Sequence, residues 1–465
     1  MAERKQQWIF LFSLLFVVLC SLLATNVSDL LISLVTQTIP FATLQNIQAI
    51  YNVILAFSTL LWGYLVDRFP FRRKLIFIAS AAVWIVTGVL LLLVPQAQVT
   101  PGLLLGIYVV WGLAIGANGP VLASYLGDLF RIEQRGRLFA AYTTLLYLIR
   151  GFALVGNGFI GYPLGSWTIP ISIFALVGVG AVLLFWRLAP EPQFGGAEPE
   201  LDSVKYAFHF RPKELKPILK RRSNILFILQ GISGSAGVAI VTKYLQYWLT
   251  ATTSLAPDAV HVDPYLATII LGVGGAIGAL CGIFLTGFLA DRAYKNGKIT
   301  QMLYLAVACL FLEIVAYAVV LLVPSYPVGT NLTIQDVGEF LVLYPIFIAF
   351  IVGFNIATFF STPIGTTVDI ARTHLNLPEH RGTVQAIYNF AGFLGSALGI
   401  YAANLIFATV ASYRLTIVYG TLFWLISGAI WILALFVFKK DFGEVREILQ
   451  SRGTELSGDK LQESS

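Results

Sequence analysis

Four ionisable side chains, Asp29, Arg150, Lys243 and Glu313, stand inside stretches that are otherwise apolar and long enough to cross a bilayer. A charge at the centre of a membrane helix costs about 2.5–3.5 kcal/mol on insertion scales, so such residues pair, exchange protons or bind a charged ligand. Asp29 and Arg150 fall at depths in the first and fifth apolar segments that allow them to meet, and Lys243 in the seventh stands at a depth near that of Asp29. A nearby cation favours the ionised carboxylate whereas burial favours the neutral one, so a carboxylate whose partner changes with conformation also changes its proton affinity. Asp29 is therefore a candidate proton-coupling residue, the alternative being a static ion pair that holds helices together. Arg150 and Lys243 are candidates to bind an anionic group of a substrate.

The elements that must position these residues follow from composition. The chain of 465 residues is 57% hydrophobic and 12% charged, which excludes an ordinary soluble enzyme. About twelve segments can cross roughly 30 Å of hydrocarbon. They lie near 8–32, 44–67, 75–95, 102–127, 137–161 and 167–188, then 223–250, 264–290, 299–323, 340–366, 383–409 and 414–438. Of the 30 Lys and Arg, all but three fall on one side; Arg414 is opposite, and Arg150 and Lys243 lie within segments. Both termini are accordingly expected to be cytoplasmic, in a plasma or inner membrane. The net charge of +6 then describes a rim facing anionic headgroups, and nucleic-acid binding is not expected. Residues 189–222 form a long polar linker that divides two halves, 1–188 and 223–438, and a tail follows at 439–465 with a short helix near 441–451. Residues 204–211 read either as an amphipathic surface helix or as solvated linker. The first segment outruns a signal sequence and is read as retained. Cys20, Cys281 and Cys309 all fall in apolar segments and suggest neither disulfide nor metal site.

The halves echo each other. Gly63-Tyr-Leu-Val-Asp67-Arg68 ends the second segment, and Gly287-Phe-Leu-Ala-Asp291-Arg292 ends the eighth. Asp128 precedes Arg135-Gly136 as Asp369 precedes Arg381-Gly382. Two markers recurring in order indicate a duplication, the architecture of many secondary transporters. Within the eighth segment, Gly274, Gly278 and Gly282 form a small-residue ridge suited to tight helix packing.

These repeated elements resemble the major facilitator superfamily over about residues 8–438. The resemblance implies an all-α integral membrane fold of 12 transmembrane helices in two pseudo-symmetric six-helix bundles. It also implies a monomer that rocks around a central site, moving a small-molecule substrate without any cofactor. Gly63, Asp67, Arg68, Asp128, Arg135, Gly136, Gly287, Asp291, Arg292, Asp369, Arg381 and Gly382 would then form a conformational latch, with Asp67 and Asp291 facing helix N-termini near Gly382 and Gly136. Substrate contacts are expected from the first, fourth, seventh and tenth helices, at Asn26, Asn118, Gln230, Tyr244, Gln246, Tyr247, Trp248 and Asn355, beside Arg150 and Lys243. The ninth helix is peripheral in this fold, which gives Glu313 a structural or interfacial role. Gly156-Asn157-Gly158 matches an antiporter motif only in part, Asn157 replacing its proline.

Three details are similar to the spinster-like branch, proton-linked transporters of lysophospholipids and sphingolipids: Asn26-Val-Ser-Asp29, Asp128-Leu-Phe, and Pro190-Glu-Pro-Gln-Phe-Gly. Leu30 stands where that branch has arginine, and Asn118 occupies roughly the place of a glutamate. The expectation is a proton-coupled carrier of an amphipathic, lipid-like or organic-anion substrate. A uniporter and a transport-fold receptor or scaffold are the alternatives. The chain contains neither Gly-x-x-x-x-Gly-Lys-Ser/Thr nor His-Glu-x-x-His, so its sequence offers no nucleotide-driven pump or zinc hydrolase.

Overall fold

The structure, a computed structural model, describes residues 12–21, 39, 41–94, 99–129, 135, 137, 139–144, 160–161, 164–189, 197–198, 213, 215–250, 258, 262, 264–321, 342 and 345–463. Asn26, Asp29, Gly136, Arg150 and Asn157 lie outside these residues, as do residues 204–211. The helices are α1 (Phe12–Ser21), α2 (Phe41–Arg68), α3 (Arg73–Leu90), α4 (Pro101–Ile115), α5 (Asn118–Leu129), α6 (Thr168–Leu188), α7 (Leu215–Lys220) and α8 (Arg222–Thr250). They continue with α9 (Pro264–Lys295), α10 (Gln301–Leu321), α11 (Ile346–Leu375), α12 (Arg381–Val410) and α13 (Tyr413–Glu463). Among the described residues, ten helical stretches are long and apolar enough to span a membrane, α4 and α5 together making one. A shorter apolar helix, α1, is also present, and residues 139–144 are helical. Large apolar side chains such as Leu93 and Phe436 face outward, as lipid contact requires.

Packing repeats between the halves. The contact of α2 with α4 recurs as α9 with α11, α3 with α4 as α10 with α11, and α3 with α6 as α10 with α13. The halves meet where α12 packs against α2 and α5. On α9 the glycine ridge explains the closeness of α11: a Cβ on Gly278 would run into the Asn355 carbonyl and sit 2.7 Å from Thr358 Oγ1.

Local chemistry sets the ends. Thr100 caps α4, its hydroxyl accepting from Leu103 N at 3.2 Å, and Pro101 occupies the first turn, where no N–H is needed. The fourth crossing breaks between α4 and α5: Ala117 N donates to Ala114 O instead of to Leu113 O. The released Leu113 carbonyl accepts from Ser58 Oγ and Trp62 Nε1 of α2, both at 2.7 Å, so no backbone acceptor is stranded in the apolar interior.

Two helices outrun their expected ends. The tenth crossing continues past residue 366 to Leu375 because Pro363 is accommodated within α11 and nothing after it breaks the helix before Pro378. The expected separate helix near 441–451 is instead the continuation of α13. There Phe438 stacks on Phe442, and the Asp441 carboxylate accepts from Ser223 N at 2.8 Å, tying the extension to the start of α8.

Candidate functional site

Where α2 ends, the buried Asp67 carboxylate accepts from Gly382 N at 3.1 Å and Thr383 N at 2.5 Å. These are first-turn donors of α12 that no helical carbonyl can satisfy, and the positive end of the helix favours the carboxylate. One turn earlier Gly63 makes the approach possible, since a Cβ there would meet Ala386 and lie 3.0 Å from the Gly382 carbonyl.

Beside this contact runs a chain of charges. Arg73 donates to Asp128 Oδ2 at 2.7 Å and to Ser124 Oγ at 2.8 Å, with its guanidinium over the Tyr125 ring. The other Asp128 oxygen accepts from Arg381 at 3.3 Å. Arg381 also pairs with Glu198, which accepts from Arg135 at 2.5 Å and Arg446 at 3.0 Å. The Gly127 carbonyl binds Arg135 at 2.7 Å and Arg381 at 3.1 Å. One buried network therefore joins α3, α5, the linker, α12 and the extension of α13. Burial alone would raise the Glu198 pKa, but Arg135, Arg381 and Arg446 hold it well below the usual carboxylate range. Burial lowers Arg135 to about 10 against the pull of Glu198, with Arg381 and Arg446 adding to the lowering. Arg137 pairs with Asp291 at 2.7 Å, and Arg452 pairs with Glu379. Arg68 and Arg292 are exposed, and Gly287 is buried.

A cavity of about 450 Å³ lies between the halves, lined from α1, α2, α4, α5, α11 and α12 and by Phe139 and Tyr142. Its described lining contains five amides, Gln48, Asn52, Asn118, Gln385 and Asn389, and one charged pair, Asp369 with Arg372. Arg372 is 4% exposed, lies 3.7 Å over the Tyr388 ring, and keeps its Nη1 without a hydrogen-bond partner among the described residues. Gln48 Oε1 is unpartnered in the same sense. Such groups can receive an anionic or hydrogen-bonding ligand, while Tyr51, Leu55, Phe139 and Phe393 offer apolar contact.

Asn118 lines this cavity and donates to Ser21 Oγ at 3.0 Å. Gln230, Tyr244, Tyr247, Trp248 and Asn355 instead make contacts within the second half. Gln230 donates to Ser427 at 3.2 Å and accepts from Tyr388, Tyr244 donates to Asn404 at 3.0 Å, and Asn355 accepts from Gly278 N at 2.9 Å. Trp248 packs on Phe350 under Arg414, and Tyr247 packs on Tyr244 and Tyr413. Gln246 and Lys243 are half-buried on the same helix and are not among the cavity-lining residues. Gln230, Tyr244, Tyr247 and Trp248 meet side chains of α11, α12 and α13, and Asn355 of α11 meets α9. Asp369, placed by sequence in the latch as the mirror of Asp128, faces the cavity one turn before Arg372, because α11 extends that far. Glu313 is buried, at 2% exposure, in α10.

Sequence reasoning missed Glu198, Arg372, Gln385 and Asn389. The amide pairs carried a signal, since Gln48 with Asn52 and Gln385 with Asn389 stand four residues apart, each pair on one face of an apolar helix.

Comparison with known proteins agrees with this architecture. The sequence profile described as Major Facilitator Superfamily matches residues 14–400. Protein spinster homolog 1 of Bos taurus is 25% identical over 195 residues, and that of Mus musculus 24%; each alignment covers 41% of this chain and 34% of the relative. The match thus spans about a third of the length of these relatives. Among solved structures, the human organic anion transporter MFSD10 superposes with a TM-score of 0.61 at 12% identity, covering 93% of this chain and all of the other.

Proposed function

As a member of the major facilitator superfamily, the chain is a multi-pass membrane transport protein and not an enzyme, and we propose that it carries an amphipathic organic anion, lipid-like in its apolar part, by alternating access. The observation that carries this reading is the buried Arg372, whose Nη1 has no hydrogen-bond partner among the described residues, beside an amide- and aromatic-lined cavity between the halves. An incoming anion competes with Asp369 for this guanidinium. Once displaced, the carboxylate has lost its cation in a partly buried cavity and takes up a proton, which links substrate binding to proton movement. Asp29 remains a second proposed coupling residue, with Arg150 as its proposed partner. The similarity to spinster homologs and to an organic anion transporter fits this substrate class.

The gate of this cycle is the Asp67 contact together with the Glu198 network, and the conformation described here has it closed. By the distribution of Lys and Arg the gate is cytoplasmic, as are both termini. Rocking would separate α2 and α5 from α12, expose Asp67 and Asp128, and open the cavity to that side. We take the working unit to be a monomer.

The test is thermal unfolding of the purified protein against lysolipids, fatty acids and small organic anions. The expected result is stabilisation by an anionic amphipath that is lost in Arg372→Ala. Stabilisation that persists undiminished in Arg372→Ala would reject the site.

A further inference from the structure

We infer that the turn between α9 and α10, on the Lys- and Arg-rich face and outside the transport cavity, forms a binding site for the phosphate of an anionic phospholipid. A recess of about 480 Å³ opens there, with Arg292, Asn296, Lys298 and Gln301 around it and Leu289 and Leu305 in its wall. The turn is held in one shape. Gly297 has φ +66°, Lys298 N donates to Ala293 O at 2.8 Å, and Gly297 N donates to Tyr294 O at 2.9 Å, closing α9 by paired backbone bonds. Two cations and two amides are thus presented on a fixed frame at the end of a membrane span, where a headgroup phosphate resides.

The apolar wall distinguishes a lipid from a soluble anion. Leu285, Leu289, Arg292 and Asn296 recur at helical spacing along one face of α9, leading from the recess into the span, where Leu285 and Phe288 are exposed. A phosphate held by Arg292 and Lys298 would leave its acyl chain along this face. A free phosphate would contact the cations and leave the wall uncovered.

Native mass spectrometry of the full chain in detergent, titrated with phosphatidylglycerol or phosphatidylcholine, tests the site. The expected result is a phosphatidylglycerol adduct about tenfold tighter than the phosphatidylcholine adduct. That preference should vanish in Arg292→Ala/Lys298→Ala, weaken in Lys298→Glu, and persist in Lys439→Ala/Lys440→Ala, which removes equal charge elsewhere. Unchanged preference in Arg292→Ala/Lys298→Ala, with its monodispersity and thermal unfolding matching wild type, would overturn the assignment. So would equal loss in the Lys439→Ala/Lys440→Ala control. An inorganic phosphate adduct of equal strength, lost in the same Arg292 and Lys298 variant, would assign the recess to a soluble anion and overturn the lipid reading.

Discussion

Arg372 and Glu198 are both buried charges, and they differ in what satisfies them. Among the described residues, Glu198 has three guanidiniums around it, whereas Arg372 has one carboxylate and a donor without a hydrogen-bond partner. A hydrogen bond to a charged partner contributes about 1.5–3 kcal/mol, so Arg372→Ala is expected to weaken an anionic ligand by about ten- to hundredfold, and Arg372→Lys by less, in a titration of the purified protein. Glu198→Gln leaves the arginines facing one another, and breaking a buried pair by removing one partner costs about 3–5 kcal/mol. The variant is expected to spend far more time with the gate open, read as faster thiol labelling of a cysteine placed at Ala386 on the α2–α12 contact. The pH dependence follows from the depressed Glu198 pKa. Its contribution to closure is complete above the ordinary glutamate range near 4.5 and is lost only as pH falls through the depressed value. Measured relative to a free thiol at each pH, labelling in the wild type should therefore stay slow from neutral pH down to about 5, and in Glu198→Gln it should be fast throughout.

At the scale of elements, two glycine-mediated contacts have different consequences. Gly278 packs α9 on α11 within one half, so Gly278→Val should lower the thermal unfolding temperature by several degrees as the helices part. Gly63 packs α2 on α12 between halves, so Gly63→Leu should wedge the gate open, raising labelling at the same reporter with a smaller effect on unfolding. Sequence alone located the spans because apolar length is written in composition, and it singled out Gly63 and Asp67 because they recur at Gly287 and Asp291. It stopped the tenth span at 366, since the more polar residues beyond resemble a loop. Helix α11 runs on to Leu375 under cover of its neighbours, and this extension turns Asp369 and Arg372 from loop residues into cavity residues. Glu198 was hidden for a related reason: a carboxylate in a polar linker looks solvated until the fold folds three arginines over it. Gln230, Tyr244 and Asn355 hydrogen-bond within the second half, a placement that polarity within a span does not disclose.

For the molecule as a whole, the repeated packing of α2 with α4 and α9 with α11 provides two similar bodies, and the α2–α12 contact joins them through the Asp67 hydrogen bonds at one end and apolar packing such as Phe57 on Phe390 along its length. That division suits a machine that closes one side of a central cavity while opening the other. The extension of α13 adds a strap to the closed side through Arg446 on Glu198 and Arg452 on Glu379. The central claim is that an anion held at Arg372 is moved across the membrane together with a proton. The most direct measurement is proton flux in reconstituted vesicles, recorded with a pH-sensitive dye as lysolipids, fatty acids and organic anions are added to wild type and to Arg372→Ala. Flux that depends on an anionic amphipath in the wild type and disappears in the variant is the expected result. Equal flux in folded Arg372→Ala, or no substrate-dependent flux in folded wild type, would contradict it.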